Sequence, residues 1–517
     1  MTQEDPRILE LRAQRAKAML GGGEERLAKH RAKGRLTARE RIGALLDPGT
    51  FQETEAFVVG RQDELGVSDE KYFTDGVVTG YGKVDGRTIY VYAQDFTIMG
   101  GALGEMQGRK ICRVMDLAVR SGAPIVGLID SGGARIQEGI YSLGGYAEIF
   151  KRNAQNSGII PQISLILGPC AGGASYSPAL TDMIIMVEKQ SMMFLTGPEV
   201  VKSVTGEIVD MESLGGAAVH LSTSGLAHFT TKNDKDALAL CRLILSYLPS
   251  NNVSNPPYVP TDDDPQRMDE SLNALVPQDP SAPYSMKEAI LKIVDRDSFL
   301  ELQPTFAPNA IIGFARMDGH TVGIVAQEPS AMAGVIDIDA ADKMTRFVRM
   351  CDCYNIPLIT FVDSPGFLPG VGQEHRGIIR HGAKLLYAYT EASVPKISVV
   401  VRKGYGGAYI VMSSKYLAGD MNFAWPSAQI AVMGAEGAAN ILFRKQIEAA
   451  ADPKEERERL VKDYQDRFLS PYAAAAAGFI DEVIEPRETR VKIIAALTAL
   501  RDKSMPDLPR KHGNMPF

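Results

Sequence analysis

The stretch Ile160-Pro-Gln-Ile-Ser-Leu-Ile-Leu-Gly-Pro-Cys-Ala-Gly-Gly-Ala-Ser-Tyr-Ser-Pro-Ala-Leu-Thr-Asp182 decides how the chain is organised. Its apolar run from Ile163 to Leu167, bounded by prolines and a glycine, predicts a buried strand of a parallel sheet. The following Gly172 and Gly173 predict a sharp turn into a helix of small residues. Unpaired backbone N–H groups and the positive end of the helix dipole at such a turn favour an anion or an oxyanion.

The same pattern recurs later in the chain, where Pro395-Lys-Ile-Ser-Val-Val-Val-Arg-Lys-Gly-Tyr-Gly-Gly-Ala-Tyr409 again places an apolar strand before a Gly-Gly-Ala turn. Three pairs share nearly one offset: Gly172 and Gly406 differ by 234, Asp130 and Asp363 by 233, and Gly86 and Gly319 by 233. A nearly constant offset across three separate elements predicts one unit duplicated end to end. The chain should therefore carry two oxyanion sites of the same kind.

At 517 residues, with a hydrophobic content of 45%, the chain is long enough for two hydrophobic cores. A segment with eight prolines, residues 249–283, marks a boundary between them. We therefore expect an N-terminal domain over 1–260, a Pro-rich linker over 261–284 and a C-terminal domain over 285–517.

Within each copy, the sequence pattern alternates between helices and buried strands. The predicted elements of the first copy are helices over 7–46 broken at Gly21-Gly22-Gly23, a hairpin of strands 77–81 and 88–93, a helix over 103–121, a strand over 125–129 and a helix over 142–156. The second copy should begin with a helix near Ser285, and a charged helix should cover 449–466. This rhythm predicts an α/β fold with a mainly parallel sheet, whose ligands bind beyond the carboxyl ends of the strands.

Composition excludes several classes of protein. The formal net charge of −7 gives no reason to expect nucleic-acid binding. The uncharged segment 158–181 is long enough to span a membrane, but its prolines and glycines indicate core. The five cysteines form no CxxC pair, so we expect buried free thiols and no metal site. With no apolar leader at its start, the protein is expected to be cytoplasmic.

The most basic part of the chain lies near its start and includes Arg26, Lys29, Arg31, Lys33, Arg35, Arg39 and Arg41. These residues either form the solvated face of a helix or bind the phosphates of a nucleotide-bearing ligand.

The two glycine-rich turns of each copy suit acyl chemistry, which needs two N–H donors near one developing oxyanion. The candidate catalytic residues are Gly133, Ala134, Gly172 and Gly173 in the first copy, and Gly366, Phe367, Gly406 and Gly407 in the second. The alternative is that these glycines serve only tight turns. The sequence has no phosphate-loop or G-x-S-x-G motif, its histidines are scattered, and Asp130 and Asp363 fit structural roles at strand ends. Many donors without an obvious base favour an enolate-stabilising enzyme whose base comes from a cofactor or substrate.

Five long motifs of the sequence resemble those of a known family: residues 130–139, 168–182, 365–370, 377–387 and 431–438. Together they resemble the carboxyltransferase subunits of biotin-dependent acyl-CoA carboxylases, of the propionyl-CoA carboxylase β, methylmalonyl-CoA carboxyltransferase and methylmalonyl-CoA decarboxylase α types. The resemblance covers nearly the whole chain. It implies two tandem crotonase-like (ClpP/crotonase) domains and a homo-hexamer built as a trimer of dimers.

The resemblance also implies a function: transfer of a carboxyl group between carboxybiotin and the α-carbon of a short acyl-CoA, with propionyl-CoA giving methylmalonyl-CoA. Biotin would arrive on a separate biotin carboxylase and carrier partner, because the chain has no Ala-Met-Lys-Met acceptor. Acyl-CoA would bind the N-terminal domain, and carboxybiotin the C-terminal domain of the partner subunit. A sodium-pumping methylmalonyl-CoA decarboxylase and a CoA-binding scaffold are the alternatives.

The candidate substrate-binding residues are Arg35, Arg39, Ala134, Tyr176 and Asp420. Asp420 precedes the only tryptophan of the chain, Trp425, and has two interpretations. It either borders the acyl pocket, as the resemblance implies, or caps a helix or strand.

Overall fold

The computed structural model describes residues 4–61, 71–505 and 509–516. The chain forms two compact units, Met1–Asn255 and Pro256–Phe517, called here the N-terminal and C-terminal units. Each unit contains one mixed sheet with helices packed on it.

The N-terminal unit begins with helices, continues with an antiparallel hairpin and then alternates helices with parallel strands. Its helices are α1 (Pro6–Met19), α2 (Glu24–Ala32), α3 (Ala38–Leu45), α4 (Glu105–Ser121), α5 (Ile140–Asn156), α6 (Gly173–Ala179), α7 (Pro198–Thr205), α8 (Met211–Gly215), α9 (Ala217–Ser222) and α10 (Asp234–Tyr247). Its strands are β1 (Gln52–Thr54), β2 (Val77–Val84), β3 (Arg87–Gln94), β4 (Ile125–Ser131), β5 (Gln162–Ala171), β6 (Met183–Val187), β7 (Met192–Phe194) and β8 (Phe229–Thr231).

The C-terminal unit repeats this order and adds a group of helices near its end. Its helices are α11 (Met286–Ile293), α12 (Ile338–Cys353), α13 (Val371–Arg376), α14 (Ile378–Glu391), α15 (Gly406–Val411), α16 (Ala435–Leu442), α17 (Arg444–Ala449), α18 (Pro453–Tyr464), α19 (Pro471–Ala476) and α20 (Thr489–Ala499). Its strands are β9 (Leu300–Leu302), β10 (Ala310–Met317), β11 (His320–Gln327), β12 (Leu358–Ser364), β13 (Lys396–Tyr405), β14 (Met421–Ala424), β15 (Gln429–Ala431) and β16 (Glu482–Val483).

The two sheets have the same topology, which confirms the predicted duplication. The strand order is β1-β2-β3-β4-β5-β6-β8 in one unit and β9-β10-β11-β12-β13-β14-β16 in the other, with β7 on β5 and β15 on β13. The first three strands of each sheet are antiparallel and the later pairs are parallel. Even the irregularity between the two central strands recurs, between Ile129 and Ser131 and between Val362 and Ser364.

Local sequence signals account for several element boundaries. Thr37 and Glu40 form a reciprocal capping box at the start of α3. Asp85 and Gly86, both with positive φ, form the turn between β2 and β3. The predicted breaks and helices of the amino-terminal segment and the charged helix at 449–466 are present, the latter as α18 after a short break.

The uncharged segment 158–181 lies in the core as β5 and α6, and among the described residues no helix is both long and apolar enough to cross a membrane. The cysteines form no disulfide with one another; four are buried and Cys353 is half-buried. Residues 256–284 belong to the C-terminal unit, where Asp263 is buried and paired with Arg267 at 2.7 Å.

Candidate oxyanion sites

The two turns of the N-terminal unit meet at the carboxyl end of its sheet. Strands β4 and β5 are neighbours, and Ser131 pairs with Cys170, so the residues that follow them emerge side by side. The approach is close: a Cβ atom added to Gly133 would lie 3.0 Å from the carbonyl oxygen of Ala171. The structure thus brings together the two turns that the sequence predicted to act together.

Not every predicted residue offers an N–H group. Gly133 donates its N–H to the Ser131 hydroxyl at 3.2 Å, and Gly172 donates to the Phe194 carbonyl at 2.9 Å. These two glycines have φ angles of 107° and 62°, which side chains disfavour. Their role is therefore to shape the turns.

The N–H groups left for a ligand belong to Ala134 and Gly173. The Leu103 N–H donates to the Gly133 carbonyl at 2.8 Å, and the Leu103 carbonyl accepts the Arg135 N–H at 2.9 Å. These two hydrogen bonds hold the backbone on either side of Ala134, and neither of them uses the Ala134 N–H. Gly173 is the first residue of α6, where a backbone N–H has no partner inside the helix. Two such donors on neighbouring turns are what an oxyanion hole requires.

The C-terminal unit repeats the hydrogen bonds of the first of these turns. The Gly366 N–H donates to the Ser364 hydroxyl at 3.3 Å. Ile336 is equivalent to Leu103: its N–H donates to the Gly366 carbonyl at 3.0 Å, and its carbonyl accepts the Leu368 N–H at 2.8 Å. Neither of these bonds uses the Phe367 N–H. Gly406 has a φ of 54°, a positive value like that of Gly172. Phe367 and Gly407 are therefore the equivalent candidate donors of the C-terminal unit.

A buried ionic cluster, which the sequence did not predict, holds the turn after β4, which carries Gly133 and Ala134. Arg135 is 4% exposed and contacts Asp75 at 2.7 Å and Glu138 at 2.6 Å. Glu138 in turn accepts the N–H of Glu105, at the start of α4, at 2.6 Å. Burial raises the pKa of Asp75, and the Arg135 guanidinium opposes that rise. In the C-terminal unit the corresponding residue is Leu368.

Asp130 and Asp363, which end the equivalent strands, have the predicted structural contacts. Asp130 pairs with Arg41 of α3 at 2.9 Å, and Asp363 pairs with Arg402 of β13 at 2.9 Å. Burial raises the pKa of both carboxyls, and the arginines oppose the rise. Fully buried carboxylates with such partners suit anchoring of the strand ends.

A basic cavity of 450 Å³ lies beside the first turn of the N-terminal unit. Arg26, Lys29 and Lys33 line it together with aromatic side chains, among them Phe96. Its wall includes Gly100, whose carbonyl accepts the Gly132 N–H at 3.0 Å, so the cavity reaches the donor turn. The pKa of His30 in this cavity is lowered, chiefly by burial. A ligand with phosphates and a flat ring system fits this lining.

The predicted substrate-binding residues fall into two groups. Tyr176 is half exposed on α6, three residues beyond Gly173, and Arg35 is partly exposed in the turn before α3. Arg39, in contrast, is held by Glu53 through two hydrogen bonds of 2.5 and 2.9 Å. This pair turns the Arg39 guanidinium toward β1.

Asp420 lies at the opposite end of the sheet from Gly406 and Gly407. It precedes β14, whose first residue pairs with Ile397 at the beginning of β13. Its carboxylate accepts the Lys396 N–H at 2.8 Å and contacts the Lys503 ammonium at 2.7 Å. Asp182 makes the same bond with the N–H of Gln162 at 2.8 Å in the N-terminal unit. Of the two interpretations, this geometry favours the cap at a strand end.

Comparison with known proteins assigns a family to this geometry. The family model for the carboxyl transferase domain matches residues 29–515. The chain is 55% identical to the carboxyltransferase subunit of propionyl-CoA carboxylase from Haloferax mediterranei over all of both chains. It is also 53% identical to the α subunit of methylmalonyl-CoA decarboxylase from Veillonella parvula, over 97% of each chain.

Among solved structures, the chain is similar to the transcarboxylase 12S core, described as a hexamer with methylmalonyl-CoA and methylmalonic acid bound. The two share 49% sequence identity and a TM-score of 0.97, over 100% of this chain and 99% of the other. This similarity confirms the predicted fold of two crotonase-like halves.

Proposed function

The chain belongs to the carboxyl transferase family, and from this premise we propose that it is the carboxyltransferase subunit of a biotin-dependent propionyl-CoA carboxylase. One observation carries the proposal: a single chain presents two equivalent pairs of unpaired backbone donors, Ala134 with Gly173 and Phe367 with Gly407. Carboxyl transfer between a thioester and biotin develops negative charge on two different carbonyl oxygens, so it needs two such sites.

In the proposed reaction, the donors of the N-terminal unit hold the thioester oxygen, which becomes an enolate oxygen when the α-proton leaves. The donors of the C-terminal unit hold the ureido oxygen of biotin. Biotin, when bound, supplies the carboxyl group and, once decarboxylated, a ureido nitrogen basic enough to accept the α-proton. The residues of the chain thus stabilise charge and orient the reactants, and none has to act as a general base.

The placement of acyl-CoA on the N-terminal domain, predicted over 1–260, is supported by the basic cavity. Arg26, Lys29 and Lys33 offer cations for the phosphates of CoA, and Arg35 lies near them in sequence. From the cavity, the wall at Gly100 leads to the turn that carries Ala134. Tyr176 would then flank the acyl group beside Gly173.

The proposed assembly is a homo-hexamer, a trimer of dimers, that receives biotin from a biotin carboxylase and carrier partner. Exposed apolar side chains in both units support association: Val204 is 78% exposed and Ile208 is 86% exposed, and Ile441 is 67% exposed. Pairing the N-terminal unit of one subunit with the C-terminal unit of another would bring the two kinds of donor pair together.

The test is transfer of the carboxyl group from methylmalonyl-CoA to free biotin by the purified chain, followed by the formation of propionyl-CoA. We expect transfer by the wild type and a loss of about 100-fold or more in Gly173→Glu and Gly407→Glu, whose carboxylates would occupy the donor sites. With bicarbonate and ATP alone, the chain should be inactive. Absence of transfer, or full activity in both variants, would contradict the proposal.

The α subunit of a sodium-pumping methylmalonyl-CoA decarboxylase is the second candidate, because two α subunits of methylmalonyl-CoA decarboxylases are 53% and 52% identical to the chain. The chemical step is the same and runs toward biotin. Reconstitution separates the candidates: a biotin carboxylase should support carboxylation of propionyl-CoA with ATP, whereas membrane decarboxylase subunits should support sodium uptake into vesicles.

A further inference from the structure

In both units an aromatic ring packs on the glycine that carries the second donor. In the N-terminal unit the ring belongs to Tyr146 of α5, and a Cβ atom added to Gly173 would lie 3.1–3.3 Å from it. In the C-terminal unit the ring belongs to Phe367, and a Cβ atom added to Gly407 would lie 3.6–3.8 Å from it. The ring thus comes from a helix in one unit and from the donor turn in the other.

The helix of the C-terminal unit has a glycine where the ring of the first helix would stand. The buried positions of α5 are Ser142, Tyr146, Ile149, Asn153 and Asn156. Those of α14 are Ile378, Gly382, Leu385, Ala388 and Tyr389, and the buried Ala392 follows its last residue. Apart from the extra Ala388, the two series have the same spacing, and they place Gly382 in the position of Tyr146.

Gly382 is needed because the Phe367 ring fills the space beside it. A Cβ atom added to Gly382 would lie 2.8 Å from Cε1 and 3.1 Å from Cζ of that ring, while the opposite edge of the ring faces Gly407. The ring is therefore held between two glycines on two different helices. In the N-terminal unit the combination is reversed, because the donor Ala134 is small and Tyr146 is large.

We propose that Tyr146 and Gly382 are positioning residues for the two oxyanion sites, because each determines whether its helix or the donor turn supplies the ring. The ring fixes the turn against the helix that carries the second donor, and thereby the distance between the two donors. In the C-terminal unit the ring and the donor N–H belong to the same residue, so any side chain at Gly382 displaces that N–H. This inference rests on the proposed carboxyl transfer.

The first test is the variant Gly382→Ala in the assay with methylmalonyl-CoA and free biotin. We expect kcat to fall about 10- to 100-fold, because displacing a donor by about 1 Å costs that much. The matched control is Gly144→Ala, a glycine inside α5 whose added Cβ would meet nothing within 4 Å. The control should keep the wild-type kcat.

The second test moves the ring from the turn to the helix. Phe367→Ala alone should lose activity about tenfold or more, whereas Phe367→Ala combined with Gly382→Phe rebuilds the arrangement of the N-terminal unit and should recover to within about fivefold of wild type. This double variant also serves if Gly382→Ala does not fold. A double variant that folds but is no better than Phe367→Ala alone would overturn the proposal.

A spectroscopic readout separates positioning from general destabilisation. Isotope-edited infrared difference spectra would follow the ureido carbonyl of ¹³C-labelled biotin and the thioester carbonyl of ¹³C-labelled propionyl-CoA, both polarised by the wild-type donors. Gly382→Ala should relax the biotin band alone, and Tyr146→Ala the thioester band alone. Equal relaxation of both bands, or no relaxation with full kcat, contradicts the inference. Bands that are unpolarised in the wild type would instead contradict the proposed function.

Discussion

Each unit buries an aspartate at the equivalent strand end, and the arginine that neutralises it comes from a different element in each unit. In the N-terminal unit Asp130 forms an ion pair with Arg41, which lies 89 positions earlier, on α3 outside the sheet. In the C-terminal unit Asp363 receives Arg402, which lies on the neighbouring strand β13. The register of the central strands places Arg402 at the position of Gly168, whose Cα leaves room for the Asp130 carboxylate.

This difference shows that the backbone of a duplicated unit fixes where a buried charge lies but not which residue neutralises it. The Arg41 guanidinium also pairs with Asp234 at 2.8 Å, so three elements of the N-terminal unit depend on one side chain. Asp363 has further donors, the Tyr284 hydroxyl at 2.8 Å and the Lys403 N–H at 3.0 Å. The N-terminal unit should therefore be the more sensitive to loss of its arginine.

The largest effect is expected from Arg41→Met. The change leaves the fully buried Asp130 without its cation, and breaking a buried ion pair in this way costs about 3–5 kcal/mol. Chemical unfolding followed by limited proteolysis should show the N-terminal unit opening first. Arg39→Met, which breaks a partly exposed pair on the same helix, is the control and should cost about 1 kcal/mol or less. Equal losses in the two variants would contradict the comparison.

Arg402→Met should cost less at neutral pH, about 2 kcal/mol, because Asp363 keeps two hydrogen-bond donors. Burial raises the pKa of Asp363 in the folded protein, and removing Arg402 raises it further. A carboxyl whose folded pKa exceeds its unfolded value, about 3.9, binds more protons when folded, so stability falls as the pH rises.

The variant should consequently regain stability relative to wild type as the pH is lowered from 7 toward 5. Urea unfolding at several pH values checks this. A deficit that is independent of pH would mean that Asp363 stays ionised throughout and that the lost arginine acts through packing alone.

Arg135→Met tests the ionic cluster of the N-terminal unit, for which the C-terminal unit has Leu368 at the equivalent position. We expect kcat for carboxyl transfer to fall about 10- to 30-fold, or about 1.4–2 kcal/mol, because the turn carrying Ala134 loses its anchor. The Kd of propionyl-CoA, measured by calorimetry, should change little. Leu368→Met, the equivalent change in the other unit, removes no cation and should leave kcat within about twofold. A fall in affinity with an unchanged kcat would assign Arg135 to binding instead.

The sequence predicted the donor turns because their signals are local. Glycines, apolar runs and a repeated offset suffice to place Gly173 and Gly407 at helix starts beyond buried strands. The partners of the buried charges could not be predicted, since Arg41 and Asp130 are joined only by the fold. The equivalence of Tyr146 and Gly382 could not be predicted for a different reason. The repeat offset of 233 or 234 pairs Tyr146 with residues 379 or 380, but the burial pattern of the helices pairs it with Gly382.

The smallest effect concerns Asp420, where the two units agree. Asp182 and Asp420 each accept the N–H of the first residue of the central strand at 2.8 Å, from Gln162 and Lys396 respectively. A contact repeated in both units at the far end of the sheet from the donors favours a role in strand anchoring. Asp420 also pairs with Lys503, so its side chain is engaged on both sides.

Asp420→Asn keeps one oxygen acceptor and removes the charge, which should cost about 1 kcal/mol of stability, and Asp182→Asn should cost a similar amount. The ratio of kcat/KM for acetyl-, propionyl- and butyryl-CoA should stay within about twofold of wild type in both variants. One methylene in an acyl pocket changes the transition-state free energy by about 1–3 kcal/mol, and only residues that line the pocket alter this difference. A ratio that changes in Asp420→Asn but not in Asp182→Asn would place Asp420 at the acyl pocket. That result would require the amino end of β14 to meet the donor site of another subunit, since the register within its own sheet keeps the two apart.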